Sequence, residues 1–200
     1  MIIMNSTEKL DYLLQKNNGY IKTADAVASG LSRVTFIDYV NKYGLQRVAH
    51  GCYMSSEAWE DKMFVIQMRY PEAVFSHETA LFLLGITDRE PSKFSLTLKT
   101  GKNSARLAKE NIKVYKVKEE LFDIGISKRE TPTGNTVRVY NIERTLCDLF
   151  RSRRNIEFQE LQNAVKFYLK KRDKNLPLLM RIAKAFSVER IVRQYLEILL

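Results

Sequence analysis

The first fifty-six residues are punctuated by glycines and cap residues so closely that only short elements fit between them. Asn5, followed three residues later by Glu8, makes a capping box, and Leu10, Leu13 and Leu14 share one face of the helix it opens. Asn17-Asn18-Gly19 ends that helix, and Tyr20 and Ile21 suit a single β-bridge. Thr23 is expected to cap a brief second helix over 24–29. Gly30 is its natural left-handed C′ residue, and Ser32 caps a third helix. Helix, glycine turn, capped helix is the helix-turn-helix order.

The third helix separates into two faces at roughly 100° per residue. With Val34 at zero, Tyr39, Tyr43, Phe36, Val40 and Ile37 fill an expected core arc from roughly 140° to 300°. Asn41, Val34, Asp38, Lys42 and Thr35 fill the other arc, which a major groove can accept. Thr35 and Asn41 donate and accept, Lys42 reaches guanine or phosphate, Asp38 accepts from cytosine N4, and Val34 meets a thymine methyl. Arg33, beside the cap, suits a phosphate. An ordinary amphipathic helix facing water explains the same pattern. The next ten residues shift the balance: a strand over 45–49, a tight His50-Gly51 turn and a return strand over 52–54 read as a wing. Arg47, His50 and Tyr53 then become candidates for backbone or minor-groove contact, with plain turn chemistry the alternative for His50.

Charge adds a second theme. The chain carries net charge +10, distributed unevenly. Residues 1–60 hold six bases against six acids, whereas residues 151–200 hold twelve against five. The excess gathers in Arg151, Arg153 and Arg154 and in Lys170, Lys171, Arg172 and Lys174. These clusters suit phosphates or an acidic partner, and a solvated helical face is the plainer reading. No stretch approaches the ~18 apolar residues that span a bilayer, and Met1–Asn5 lacks a leader's basic n-region. A cytoplasmic protein without a membrane role is the expectation.

Beyond residue 56 the pattern is mixed. Trp59, Met63, Ile66 and Tyr70 recur as a helical stripe that Pro71 stops. Ser76 is expected to cap a helix through Leu84, with His77 as a capping or packing residue. Strands are expected at 94–98, 112–117 and 137–140, the last after the loop Thr131-Pro132-Thr133-Gly134-Asn135. Asn141 caps a helix holding Leu146, Leu149 and Phe150. Two or three helices finish the chain: Phe158, Leu161, Val165 and Leu169 stripe one, Asn175 caps the next, and Ser187 restarts it towards Ile198.

Catalytic signatures are missing. Gly101-Lys102-Asn103 lacks the other parts of a P-loop, and no HExxH, GxSxG or GxGxxG occurs. Glu60-Asp61-Lys62 is the sole Glu-x-Lys, and it falls on an expected helix where a nuclease would place it on a strand. Two cysteines and two histidines, widely spaced, suggest neither disulfides nor zinc. No enzyme activity, cofactor or metal is expected.

Three segments together resemble the AbiEi antitoxins of bacterial type IV toxin–antitoxin systems. Residues 19–56 are similar to that family's N-terminal winged helix, matching at Thr23, Gly30, Ser32, Arg33, Arg47, Val48, Gly51 and Tyr53. Ser76–Ile86 (SHETALFLLGI) and Glu143–Phe150 (ERTLCDLF) resemble its second domain. The last fifty residues match only as helices, and Tyr43-Gly44 departs from a pattern with glycine directly after the helix. The resemblance implies an antitoxin of abortive-infection phage defence that also represses its own operon. Two copies would sit on promoter inverted repeats. It would antagonise an AbiEii-type, nucleotidyltransferase-like toxin without a stable complex.

The expectation is therefore an α+β chain. A winged helix-turn-helix DNA-binding domain occupies 1–56, and a mixed α/β antitoxin domain ending in a helical bundle occupies 57–200. A winged-helix regulator without antitoxin role and a basic module gripping an acidic partner protein remain alternatives.

Overall fold

Asn5 opens the first helix in the computed structural model, which describes residues 4–199, the side chains of Ala108, Lys109 and Leu199 excepted. Residues 1–3, part of the Met1–Asn5 segment expected to lack a leader's basic region, lie outside the described residues. Asn5 Oδ1 accepts from Glu8 N at 2.9 Å while the Glu8 carboxylate accepts from Asn5 N at 2.8 Å, so the capping box forms over α1 (Ser6–Lys16). After β1 (Tyr20–Lys22) comes α2 (Thr23–Ala28). Thr23 is the first residue of α2 and not its cap: Lys22 holds that place without a side-chain bond, since an ammonium accepts none, and the Thr23 N–H donates to Gly51 O at 2.9 Å. Gly30, at φ +88°, turns the chain left-handed into α3 (Arg33–Lys42), where Ser32 Oγ accepts from Thr35 N at 3.0 Å. Strands β2 (Gln46–Ala49) and β3 (Cys52–Met54) complete a sheet with antiparallel order β1-β3-β2.

Leu10, Ile21, Ala26, Leu31, Phe36, Tyr39, Val40 and Leu45 form one core beneath the three helices. Tyr20, Cys52, Met54 and Met68 form another, with Phe64 packed edge-on to Tyr20 at 5.2 Å. Those contacts bind α4 (Lys62–Arg69) to the strands, so the first compact unit runs over Met1–Pro71, past the boundary expected after residue 56, and includes Glu130–Thr136. Asp61 explains the added loop. Its Oδ1 caps α4 through Phe64 N at 2.9 Å, and its Oδ2 accepts from Thr131 and Thr133 hydroxyls at 2.6 Å and from Asn135 Nδ2 at 2.8 Å. A cap at Asp61 also leaves Trp59 outside the helix and 82% exposed, off the stripe on which its spacing placed it.

The second unit comprises Glu72–Arg129 and Val137–Leu200. Its mixed sheet contains β4 (Val74–Phe75), β5 (Ser95–Lys99), β6 (Lys113–Val117), β7 (Ile126–Glu130) and β8 (Thr136–Tyr140), in the order β6-β5-β4-β8-β7. β4 runs parallel to β8 and antiparallel to β5. Helices α5 (His77–Leu83), α6 (Ala105–Lys109) and α7 (Glu119–Phe122) connect strands. Four more, α8 (Ile142–Arg151), α9 (Phe158–Lys170), α10 (Leu176–Ala185) and α11 (Glu189–Leu199), end the chain. The result is an α+β protein, and no helix among the described residues is long and apolar enough to cross a membrane.

The main core lies here. Leu146, Leu149 and Phe150 meet Leu161, Val165, Ile182 and Phe186, as their spacing requires. Phe158 and Ile198 do not: they sit at the first and last turns of their helices, exposed to solvent. Ser187, at φ +57°, ends α10 through its N–H on Lys184 O and does not open the next helix from within. At the centre, Arg144 is fully buried. Its Nε meets both Asp148 oxygens at 3.0–3.1 Å, one terminal nitrogen donates to Leu121 O and Ile124 O, and its plane lies between Tyr140 and Phe186. Burial pushes the Asp148 carboxyl up to about 6, with the Arg144 cation pulling it down.

Candidate nucleic-acid interface

α3 offers its surroundings a face set by burial. Phe36, Tyr39 and Val40 are buried; Ser32, Arg33, Val34, Asp38, Asn41 and Lys42 are exposed, and Thr35 is half-buried. Ile37 was expected in the core arc, yet it is 40% exposed and joins Asn41, Val34 and Asp38 on the outer side. Tyr43 also leaves the core arc, since it is the C-cap, 46% exposed, with its ring tilted on Tyr39 at 4.5 Å and Lys42 Nζ over it at 5.2 Å. The buried anchor is instead Tyr39, whose hydroxyl donates to Asp11 Oδ1 at 2.5 Å. Burial and that carboxylate hold the phenol above its ordinary value. α3 is thus pinned from beneath while Arg33, Asp38 and Lys42 form no ion pair among the described residues.

The β2–β3 hairpin stands beside α3. Its ladder slips between Arg47 and Ala49, where a bulge bends the strand, and His50-Gly51 closes the turn with Gly51 at φ +67°. Arg47 and His50 are exposed and joined: an Arg47 terminal nitrogen lies 3.0 Å from His50 Nδ1, and Arg47 Nε donates to Ala49 O at 3.3 Å. Because the guanidinium can only donate, His50 Nδ1 accepts and Nε2 carries the proton. Tyr53 also serves the fold. It is half-buried with its ring edge-on to Phe36 at 5.4 Å, so it braces the hairpin against α3. Thr23, half-buried at the start of α2, likewise holds the turn through Gly51.

The basic clusters of the second unit are spread over three elements. Arg151, Arg153 and Arg154 are exposed at the end of α8 and in the 3-10 turn Arg153–Asn155; Arg153 donates to Phe150 O at 3.2 Å. Positive charge there complements the helix C-terminus. Lys170 and Arg172 are exposed, Lys171 pairs with Asp173 at 3.2 Å, and Lys174 bonds Lys171 O.

One arrangement escaped the sequence because its parts lie far apart. His77 is buried at φ +50°, stacked on Tyr115 with centroids 3.4 Å apart. Nδ1 lies 3.0 Å from Ser76 Oγ and Nε2 lies 3.1 Å from Ser152 Oγ. Ser76 therefore spends its hydroxyl here and does not cap α5 with it. Thr97 donates to Ser76 at 2.9 Å, so the arrangement using every proton sends the Ser76 hydroxyl to Nδ1 and the Nε2–H to Ser152. Burial, with Lys113, Arg144 and Arg151 nearby, holds the imidazole well below its ordinary value and neutral. A ring donating to a serine is the reverse of a general base. The neighbouring cavity of about 460 Å³ includes Glu78, Ser95, Lys113, Arg89, Asn155 and Glu160, with Glu78 engaged by Ser95 at 2.9 Å and Lys113 at 2.9 Å. Glu60 is exposed and Asp61 buried in its loop contacts. Both thiols are buried and free, pushed up by burial. No group of three or more His, Cys, Asp or Glu suited to a metal occurs among the described residues.

No protein-family model matches the sequence, and no curated protein matches it. Among solved structures, the crystal structure of the Rv2827c protein from Mycobacterium tuberculosis is similar, with TM-score 0.57 and 13% sequence identity. The match covers 90% of this chain and 71% of that one, and at such identity it shows a shared fold.

Proposed function

We propose that the chain is a DNA-binding repressor whose first unit is a winged helix-turn-helix, with α3 the recognition helix and the β2–β3 hairpin the wing. The observation that carries this reading is the outer face of α3. Its charged residues have no ion-pair partner among the described residues, and its cap, turn and hairpin bracing are all in place. A helix about 10–12 Å across fits a major groove about 12 Å wide. Arg33 at the cap and Arg47 with His50 at the hairpin flank that face as phosphate or minor-groove contacts. The near-neutral charge of the first sixty residues assigns much of the general attraction for phosphate to the second unit's bases, Arg151, Arg153 and Arg154 first among them.

The three-segment likeness to AbiEi antitoxins supports the finer reading: autoregulation through promoter inverted repeats, and antagonism of a nucleotidyltransferase-like toxin. The test is a mobility shift on the DNA upstream of the protein's own gene, paired with growth rescue when the chain is co-expressed with the adjacent gene's product. A sequence-specific shift and rescue support both roles. A shift without rescue leaves a regulator alone. The exposed arginines of the second unit favour one rival, an interaction module for an acidic protein. A one-to-one complex with the toxin on size-exclusion chromatography, with no DNA shift, selects it.

A further inference from the structure

The burial pattern of α3 divides it more sharply than the sequence does. On a wheel of about 100° per residue, the buried anchors Tyr39, Phe36 and Val40 span roughly 140° to 240°. The exposed residues Ile37, Asn41, Val34, Asp38 and Lys42 span roughly 300° through zero to 80°. Val34 lies near the centre of that outer arc and is 70% exposed, with Ile37 beside it. A branched apolar side chain thus stands in the middle of a face otherwise polar, with a second at its edge, and both have surface to bury against a partner. The flanks define the occupant. Asp38 has no cation partner among the described residues and repels phosphate, whereas Arg33 at one end and Lys42 at the other attract it. Apolar centre, carboxylate beside it and cations at the ends complement the floor and walls of a major groove: methyl groups, base amino groups and phosphates.

Resting on the DNA-binding reading, we infer that α3 recognises duplexes carrying thymine 5-methyl groups against Val34 and Ile37, next to a base amino group accepted by Asp38. Thymine alone among the four bases offers that methyl in the groove, so the helix reads hydrocarbon where most readers place arginine on guanine. The contact works by removing apolar surface from water, and each methyl buried is worth about fourfold in affinity. At the positions these two side chains reach, guanine is disfavoured, because neither Val34 nor Asp38 supplies a donor to N7 and O6.

The experiment uses the full chain and a pool of random duplexes about three helical turns long, from which bound sequences are selected. The best duplex is then rebuilt with deoxyuridine replacing each thymidine, which deletes only the methyl. The expected result is a selected site with fixed thymines whose deoxyuridine version binds about four- to sixteenfold more weakly, one or two methyls being lost. Val34→Ala should weaken the thymidine duplex and cut its sensitivity to that replacement to what the Ile37 contact alone supplies, about fourfold or less; Asp38→Ala should relax preference at one cytosine or adenine. Equal binding of both duplexes by the unaltered chain overturns the inference. So does full methyl sensitivity in the Val34→Ala protein, or a dimer in sedimentation that Val34→Ala dissolves, which would give this face to a second copy. Failure to select any duplex strikes the DNA-binding reading itself and is distinguishable from all of these.

Discussion

α3 and α8 are both ten residues long, and they use their polar side chains in opposite ways. In α8 every residue from Glu143 to Phe150 is buried, and the charged ones find partners inside: Arg144 with Asp148, Glu143 with the Tyr168 hydroxyl. In α3 only Phe36, Tyr39 and Val40 are buried, and Arg33, Asp38 and Lys42 find no ion pair among the described residues. A charge buried with its partner belongs to the fold. A charge held on a well-capped helix with no ion-pair partner is available for something else. The contrast separates residues whose loss unfolds the protein from residues whose loss leaves it intact and inert.

Breaking the α8 side should cost most. Arg144→Met strands the Asp148 carboxylate without water or cation, so unfolding free energy in urea should fall by about 3–5 kcal/mol. Asp61→Ala comes next, at about 2–3 kcal/mol, since Thr131, Thr133 and Asn135 lose one shared acceptor and α4 loses its cap. The same contacts predict that a fragment ending at Pro71, lacking 130–136, melts lower than the first unit does in the full chain.

His77 sharpens the comparison through pH. Its imidazole is held well below the ordinary 6.5, so as pH falls the unfolded chain takes up that proton first. The stability it carries is whole above about pH 6.5 and is lost progressively below it, on the order of 1 kcal/mol one pH unit lower. His77→Asn tolerates the left-handed backbone but cannot titrate. Urea midpoints for both proteins at neutral and mildly acid pH should show the variant losing less. On the α3 side, Val34→Ala and Asn41→Ala should each leave stability within about 0.5 kcal/mol of the parent, measured the same way.

Much of this was legible in residue order alone. The capping box at Asn5, the Ser32 cap, the left-handed Gly30 and the His50-Gly51 turn are local devices whose partners lie within a few residues, so they suffice to define the short helices and hairpin. Asp61 with Thr131, and His77 with Ser152, join residues about seventy positions apart, and nothing local marks them. Arg144 and Asp148 did leave a signal, opposite charges four apart within an apolar helix, which reads as surface until burial shows otherwise. Ile37 and Tyr43 misled for the complementary reason: hydrophobicity suggests a core, but the core beneath α3 is filled by Phe36, Tyr39 and Val40.

Docking of the outer face of α3 on DNA is tested most directly by fluorescence anisotropy at about 0.15 M salt, where nonspecific phosphate attraction is damped. The titration compares a duplex from upstream of the protein's own gene with a scrambled one, for the parent chain and for Asn41→Glu. The expected result is at least about tenfold tighter binding of the upstream duplex by the parent, and loss of that preference in a variant that remains folded. Equal affinity for both duplexes in the parent, or a preference that survives Asn41→Glu, would contradict it.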